Sequence, residues 1–309
     1  MKLDQIISFL ETNSIPFQVN SKNTITSYNP ASLKNVIENG IYFIMGDINI
    51  SNINNSIIFT SEAKNESINA TNICISVTNP QLTHYKLCGV FAEKRKANIH
   101  ETAIIDKDAV IGNNVYIGPY CILEKCVIGD NVVLNSHVVI YNNTKINDKV
   151  FIDSNSCIGA SGLAWIWDED GNRIMQPQLG GVIVEADCHI ATDVTIVKGS
   201  LSENTRIGKG TVIAHGTKIG HGAQVGTNVH MANNVSLAGN AEIGDRTFLG
   251  SASIISSNIK IPHNTIVGAG AMVNKNFDEE FCTLAGIPAK VLKRENYKNK
   301  PKGAPKPFN

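Results

Sequence analysis

A mainly β fold is predicted, a solenoid of short stacked strands behind an N-terminal α/β domain, from three features of the sequence. Twelve positions six residues apart, Ile207, Ile213, Ile219, Val225, Met231, Leu237, Ile243, Leu249, Ile255, Ile261, Val267 and Val273, are aliphatic or Met. The same step joins Ile105, Ile111, Ile117 and Leu123, drops one residue to Ile128, and resumes through Leu134, Ile140, Ile146, Ile152 and Ile158; Val184, Ile190 and Ile196 form a third run. Glycine often follows the aliphatic residue, as at Gly112, Gly129, Gly208 and Gly226, and small or β-branched residues recur two before it. No helix has a period of six, whereas a unit of one short strand and one tight turn does.

Before the hexads, Leu3, Ile6, Ile7 and Leu10 recur at helical spacing and predict an amphipathic opening helix. Asn29 and Pro30, followed by Gly40, read as cap, first position and stop of a second helix. Ile41 to Met45, Ser56 to Thr60 and Ile73 to Val77 read as buried strands between Asn/Ser-rich turns. Together these make an α/β domain over residues 1–97. The hexads occupy residues 98–276, each with its aliphatic side chain pointing inward. A single unit cannot bury that side chain, but stacked units pair their backbones at about 4.8 Å and bury a continuous apolar column. The glycine after the aliphatic residue is expected to free the backbone for the turn. Val132, Val138 and Val150 are expected on a flat outer face suited to self-association. Residues 277–309 form a C-terminal segment with a Lys/Pro/Asn-rich tail expected to be mobile.

Composition narrows the partners. The 309 residues are 42% apolar, enough for real cores, and carry 27 basic and 27 acidic side chains. That balance argues against nucleic acid or a polybasic membrane surface and for a small partner. No stretch approaches the length of a membrane span and the first residues lack a signal-peptide apolar run, so a cytoplasmic protein is expected. Seven cysteines, odd in number and without a Cys-x-x-Cys pair, fit a reducing compartment and act mostly as small core hydrophobes.

One interruption stands out. Residues 159–181 replace the repeat and hold both tryptophans, Trp165 and Trp167. An insertion at a solenoid corner leaves the coil as a loop, and loops on rigid scaffolds often carry function. Two bulky aromatics on a polar loop suit packing against a ligand or a neighbouring subunit, while the plainer reading is a hairpin that covers a coil edge.

The hexads resemble the left-handed parallel β-helix of hexapeptide-repeat acyltransferases, in which each coil is a triangular prism of three hexads, or eighteen residues. The insertion with Asp170 to Arg173 and Gln178 to Gly180, the stretch Thr195 to Leu201, the segment Ile219 to Gly226 and the stretch Asn79 to Thr83 resemble the UDP-3-O-acylglucosamine N-acyltransferases of lipid A synthesis and related sugar-nucleotide N-acyltransferases. The resemblance runs over residues 20–275. It implies a homotrimer with a groove at each interface, a nucleotide held by the N-terminal domain, His221 as general base and the Gly239 N–H as oxyanion donor.

With a coil of eighteen residues, spacing supports the same pair, because one coil beyond His221 is Gly239. Amide formation needs an acceptor for the amine proton and a donor for the tetrahedral oxyanion, and an imidazole beside an unobstructed N–H supplies both. An isolated histidine at a turn is more often an ordinary surface residue; here motif and stacking agree. His215, one hexad earlier and on another prism face, and His230, projecting outward beside Met231, are weaker candidates for substrate contact. Their spacings do not resemble the histidine set of the hexapeptide carbonic anhydrases, and no metal is expected.

Departures from the lipid A enzymes bear on substrate. Asn258 stands where they carry a second histidine, Tyr42 to Asp47 lacks their uracil-pocket Asn, and a short tail replaces a long C-terminal helix. Leu284 to Lys293 resembles the ending of coenzyme A-dependent hexapeptide acetyltransferases, which makes Lys290 and Lys293 candidates for the cofactor phosphates. The expected activity is transfer of an acyl group from acyl-CoA to the amino group of a UDP- or dTDP-linked amino sugar. The alternatives are the lipid A enzyme itself, fed by acyl carrier protein, and a solenoid that binds without catalysing.

Overall fold

Short parallel strands stacked in three columns form the larger part of the chain. The computed structural model describes residues 1–20, 26–46, 50–61, 71–294 and 303–305, and divides into units at Met1–Lys94 and Arg95–Asn309. Asp47 and the tail beyond Arg294, apart from residues 303–305, lie outside the described residues. No helix among the described residues is long and apolar enough to cross a membrane.

In the N-terminal unit, α1 (Leu3–Thr12) buries Leu3, Ile6 and Leu10 on one face, as its spacing requires. The sheet comprises β1 (Phe17–Val19), β2 (Asn29–Pro30), β3 (Gly40–Phe43), β4 (Ile57–Thr60) and β5 (Ile73–Val77). Its order is β1-β5-β4-β3-β2, with β1 antiparallel to β5 and the others parallel. The last element, α2 (Pro80–Phe91), closes a core of Ile41, Ile57, Phe59, Ile75 and Leu87.

The second helix is therefore not where Asn29 and Pro30 placed it. Those residues form β2, paired with Gly40 and Ile41 of β3 at the sheet edge, where the N–H that proline lacks is not missed. The segment after them has no buried stripe to dock, since Leu33 and Ile37 are both exposed. The helix starts at the other Asn-Pro pair: the Asn79 side chain accepts from the Leu82 N–H at 3.0 Å and Pro80 takes the first helical position.

The second unit is the left-handed parallel β-helix. Among the described residues, its first face has nine strands, its second eight and its third eleven, all parallel except the final pair. Neighbouring coils register hexad on hexad, as in Ile219 on Leu237 and Leu237 on Ile255. The repeating aliphatics, Ile190, Ile196, Ile207, Ile213 and Ile255 among them, are fully buried. Replacing Ile190 by alanine is expected to cost about 3 kcal/mol and to lower the urea midpoint accordingly.

Each hexad has a second inward position. Val132, Val138 and Val150, expected on an outer face, are at most 1% exposed. They lie two residues before Leu134, Ile140 and Ile152, and extended backbone returns a side chain to the same face every second residue. Thr205, Thr211, Thr217, Ala223 and Val229 occupy the same position and are buried likewise.

The turn chemistry also differs from expectation. The glycine directly after the aliphatic residue serves close approach: a β-carbon at Gly220 would lie 2.7 Å from the Gly239 nitrogen. The left-handed residue comes two later, at Gly222 (φ 68°), Asn240 (57°) and Asn258 (61°), the two residue types that tolerate it best.

Candidate active site

One edge of the prism, where strands of the first face turn into the second, gathers every departure from the regular repeat. Ile158 to Val184 spans 26 residues where a hexad needs six, and Ile196 to Ile207 spans eleven. The excess forms the insertion after Cys157–Ala160 and a longer turn, residues 198–203, after Thr195–Val197. On the next two coils the same edge carries His221 and Gly239.

His221 is half-buried at this corner, outside the apolar column. Its backbone carbonyl accepts from the Asn240 N–H at 2.8 Å, which fixes the two turns against each other. The ring lies over Gly239: a β-carbon there would sit 2.7 Å from Cε1 and closer still to Nε2. The Gly239 N–H has no hydrogen-bond acceptor among the described residues. On the other side of the ring, Nδ1 is 3.2 Å from Ser200 Oγ. Below it, Thr205 Oγ1 accepts from the Gly222 N–H at 2.9 Å and donates to the Val197 carbonyl at 2.6 Å, bracing the corner from inside.

The insertion is a hairpin of Trp165–Trp167 and Arg173–Met175, its turn held by the Asp168 carboxylate accepting from the Asp170 and Asn172 N–H groups. The two indoles meet edge-on at 5.0 Å, and the Arg173 guanidinium lies 5.0 and 5.3 Å from their ring centres. Both tryptophans are exposed, on a hairpin that springs from the His221 edge.

The other sequence candidates go elsewhere. His215 is exposed at the corner between the third and first faces, with Nδ1 2.8 Å from Thr192 Oγ1. His230 lies on the third face against Phe248, ring centres 5.0 Å apart, and burial pushes its pKa down. Asn258 is on the His221 edge, but it stacks on Asn240, whose Nδ2 donates to its Oδ1 at 3.3 Å. The residue in line with His221 and Gly239 is Ser257. Lys290 and Lys293 belong to the last strand, Lys290–Arg294, antiparallel to Cys282–Ala285 at the end of the third face. Lys293 borders an apolar groove with Phe248, Ile266 and Leu292.

Lys198 and Ser200 lie in the family-like stretch Thr195 to Leu201 without having been given a role, and Asn142 and Glu203 were passed over. Lys198 is 4% exposed, and its ammonium donates to Asn142 Oδ1 on an earlier turn of the same edge. The signal was the eleven-residue step between Ile196 and Ile207, which announces a turn long enough to hold side chains of its own. No group of three or more metal-ligating side chains is gathered among the described residues. All seven cysteines are unpaired, and burial pushes the thiols of Cys126 and Cys188 up to about 11.

Known proteins with this architecture point the same way. The model for the hexapeptide repeat of succinyl-transferase matches residues 202–237 and 241–275. A UDP-3-O-acylglucosamine N-acyltransferase from Coxiella burnetii is 31% identical over 155 residues, covering 43% of this chain and 45% of the relative. An acyl-[acyl-carrier-protein]–UDP-N-acetylglucosamine O-acyltransferase from Rickettsia peacockii is 50% identical over 64 residues, 20% of this chain and 24% of the relative. The chain thus matches less than half the length of these relatives. Among solved structures, the UDP-N-acetylglucosamine O-acyltransferase of Moraxella catarrhalis superposes with a TM-score of 0.58 at 32% identity, over 62% of this chain and 73% of that one. In repeat, coil and register, the chain belongs to the hexapeptide-repeat proteins with a left-handed β-helix, the family in which these UDP-sugar acyltransferases are found.

Proposed function

We propose that the protein is an N-acyltransferase that moves an acyl group from a thioester to the amino group of a nucleotide-linked amino sugar. The observation that carries this reading is His221 lying over Gly239 on the one edge where the repeat is twice interrupted. The amine attacks the thioester carbon, Nε2 of His221 takes the proton the nitrogen must lose, and the tetrahedral oxyanion accepts from the Gly239 N–H. Collapse expels the thiolate, which the imidazolium then protonates, so the base returns to its starting state. A hydroxyl acceptor would use the same groups, and the named relatives include both N- and O-acyltransferases.

The donor in this reading is acyl-CoA, its phosphates met by Lys293, which borders the groove of the third face, and by Lys290 of the same strand. A second reading, acyl carrier protein as donor in lipid A synthesis, is favoured by the Rickettsia relative, whose name specifies that donor. Both donors present a pantetheine thioester. A homotrimer is supported by exposed Ile104, Ile122 and Ile254 on the first face. Seven unpaired cysteines suit a cytoplasmic setting.

The test is thiol release with acetyl- and 3-hydroxybutyryl-CoA, and with the same acyl groups on acyl carrier protein, against UDP- and dTDP-linked amino sugars. Turnover with a CoA thioester and an amide product is the expected result. Activity only with the carrier protein replaces the first donor by the second, and silence with every pair leaves a binding solenoid.

A further inference from the structure

The turn between Thr195–Val197 and Asn204–Ile207 lengthens its coil by five residues. Ile196 pairs with Ile219, 23 positions on, whereas Ile219 pairs with Leu237, 18 positions on. Such an addition costs chain entropy on folding, and nothing in the apolar column uses it. Its product is a contact: Ser200 Oγ stands 3.2 Å from His221 Nδ1.

Ser200 is held from two sides. Oε1 of the Glu203 carboxylate accepts from the Ser200 N–H and Oε2 from the Leu201 N–H. Its own backbone N–H most of all, then those of Ser200 and Leu201, with a smaller contribution from His221, hold the Glu203 carboxyl below the usual carboxylate range. From the other side, the Leu179 N–H donates to the Ser200 carbonyl at 2.9 Å and the Gly180 N–H to the Gly199 carbonyl at 3.1 Å. The return segment of the tryptophan hairpin thus clamps the turn that touches His221. Gly199 and Gly180 both face the Glu203 carbonyl oxygen so closely that neither position has room for a β-carbon.

A neutral imidazole carries one ring proton, and the partner of one nitrogen decides which nitrogen is free to act as a base. Nε2 is the nitrogen turned toward Gly239, and for it to act as the base Nδ1 has to carry the proton and donate it. We propose that Ser200, fixed by Glu203, is a positioning residue that accepts a hydrogen bond from Nδ1–H of His221 and holds the ring in the tautomer whose Nε2 is the base. The proposal rests on the reading of His221 given above. The hydroxyl remains an acceptor when the ring becomes an imidazolium, so the contact persists through the proton transfer.

Two-bond 1H–15N correlation spectra of the intact 15N-labelled protein read the tautomer without any substrate, at about pH 8.5 where an ordinary imidazole is neutral. The His221 signals are those lost in His221→Gln. The expected spectrum shows protonated Nδ1 in the wild type, a mixture of tautomers in Ser200→Ala, and the wild-type pattern again in Ser200→Thr. In the transfer assay, Ser200→Ala should lower kcat about 10-fold with KM within about 2-fold, and Ser200→Thr should restore most of it. Protonated Nε2 in the wild type, or a tautomer unmoved by Ser200→Ala, overturns the proposal, and the first of these needs no variant to fold. A wild-type protein with protonated Nδ1 but no acyl transfer to any acceptor upholds the clamp and instead overturns the acyltransferase reading.

Discussion

His221→Ala is expected to lower turnover by about 10²-fold or more with every acceptor the wild type uses, because in the proposed mechanism it removes the group that takes the amine proton. The expected loss sits in kcat. Attack and deprotonation belong to the transition state, while the contacts proposed for nucleotide and pantetheine do not involve this side chain, so KM should stay within a few-fold. Folding should be untouched: the side chain lies at a corner outside the apolar column, and the Asn240 N–H that ties the corner to the next coil bonds the His221 carbonyl, which alanine retains. Steady-state rates beside a thermal melt separate the two effects. Equal rates for variant and wild type would take His221 out of the chemistry and leave its place over Gly239 without a catalytic meaning.

The solenoid was legible because its physics is one-dimensional. Stacking coils demands the same residue class at the same place in each, and the run from Ile207 to Val273 repeats that demand twelve times. The N-terminal unit has no such redundancy. Asn29 with Pro30 and Asn79 with Pro80 are the same dipeptide, and only tertiary context made one an edge strand and the other a helix start. A cap signal states that a helix is permitted; a buried face decides whether it forms. Val132, Val138 and Val150 were misplaced for a related reason: the recurrence of small or β-branched residues two before each aliphatic was seen, but not that extended backbone turns that position to the same inward face.

The arrangement of the candidate site was legible where it depends on stacking and opaque where it depends on a turn. His221 and Gly239 follow from an eighteen-residue coil, and the structure sets the ring over the glycine. The same arithmetic, carried one coil further, selects Ser257 in place of Asn258, whose left-handed backbone and bond to Asn240 give it a structural part in the corner. His215 and His230 were separated from His221 by the face on which each hexad lies, which spacing alone already implied. Ser200 and Lys198 lie in a stretch the resemblance marked, but their roles were hidden because the turn follows no period. Where such a turn folds back depends on glycines such as Gly199, which allow backbone segments to meet at distances no other residue permits.

Gly239→Ala should be nearly as damaging as loss of the histidine, for a steric reason. The new methyl would occupy the space now filled by the imidazole, 2.7 Å from Cε1 and 3.0 Å from Cδ2 even before the closer Nε2 is considered. Backbone strain is not the issue, because the left-handed residue of this turn is the neighbouring Asn240. The ring can rotate away from the methyl, so the fold should survive with a melting temperature within a few degrees of wild type. Displacement would part the proposed base from the N–H proposed to stabilise the oxyanion, and turnover should fall about 10²-fold. Coupling between the two positions makes the test sharp. If the damage is collision with the ring, Gly239→Ala introduced into His221→Ala should lower the rate by less than about 3-fold further, since the smaller side chain leaves the methyl room. A multiplicative loss in the double variant would instead mean that alanine harms the oxyanion donor directly, and a fully active Gly239→Ala would show that the ring need not lie where the structure puts it.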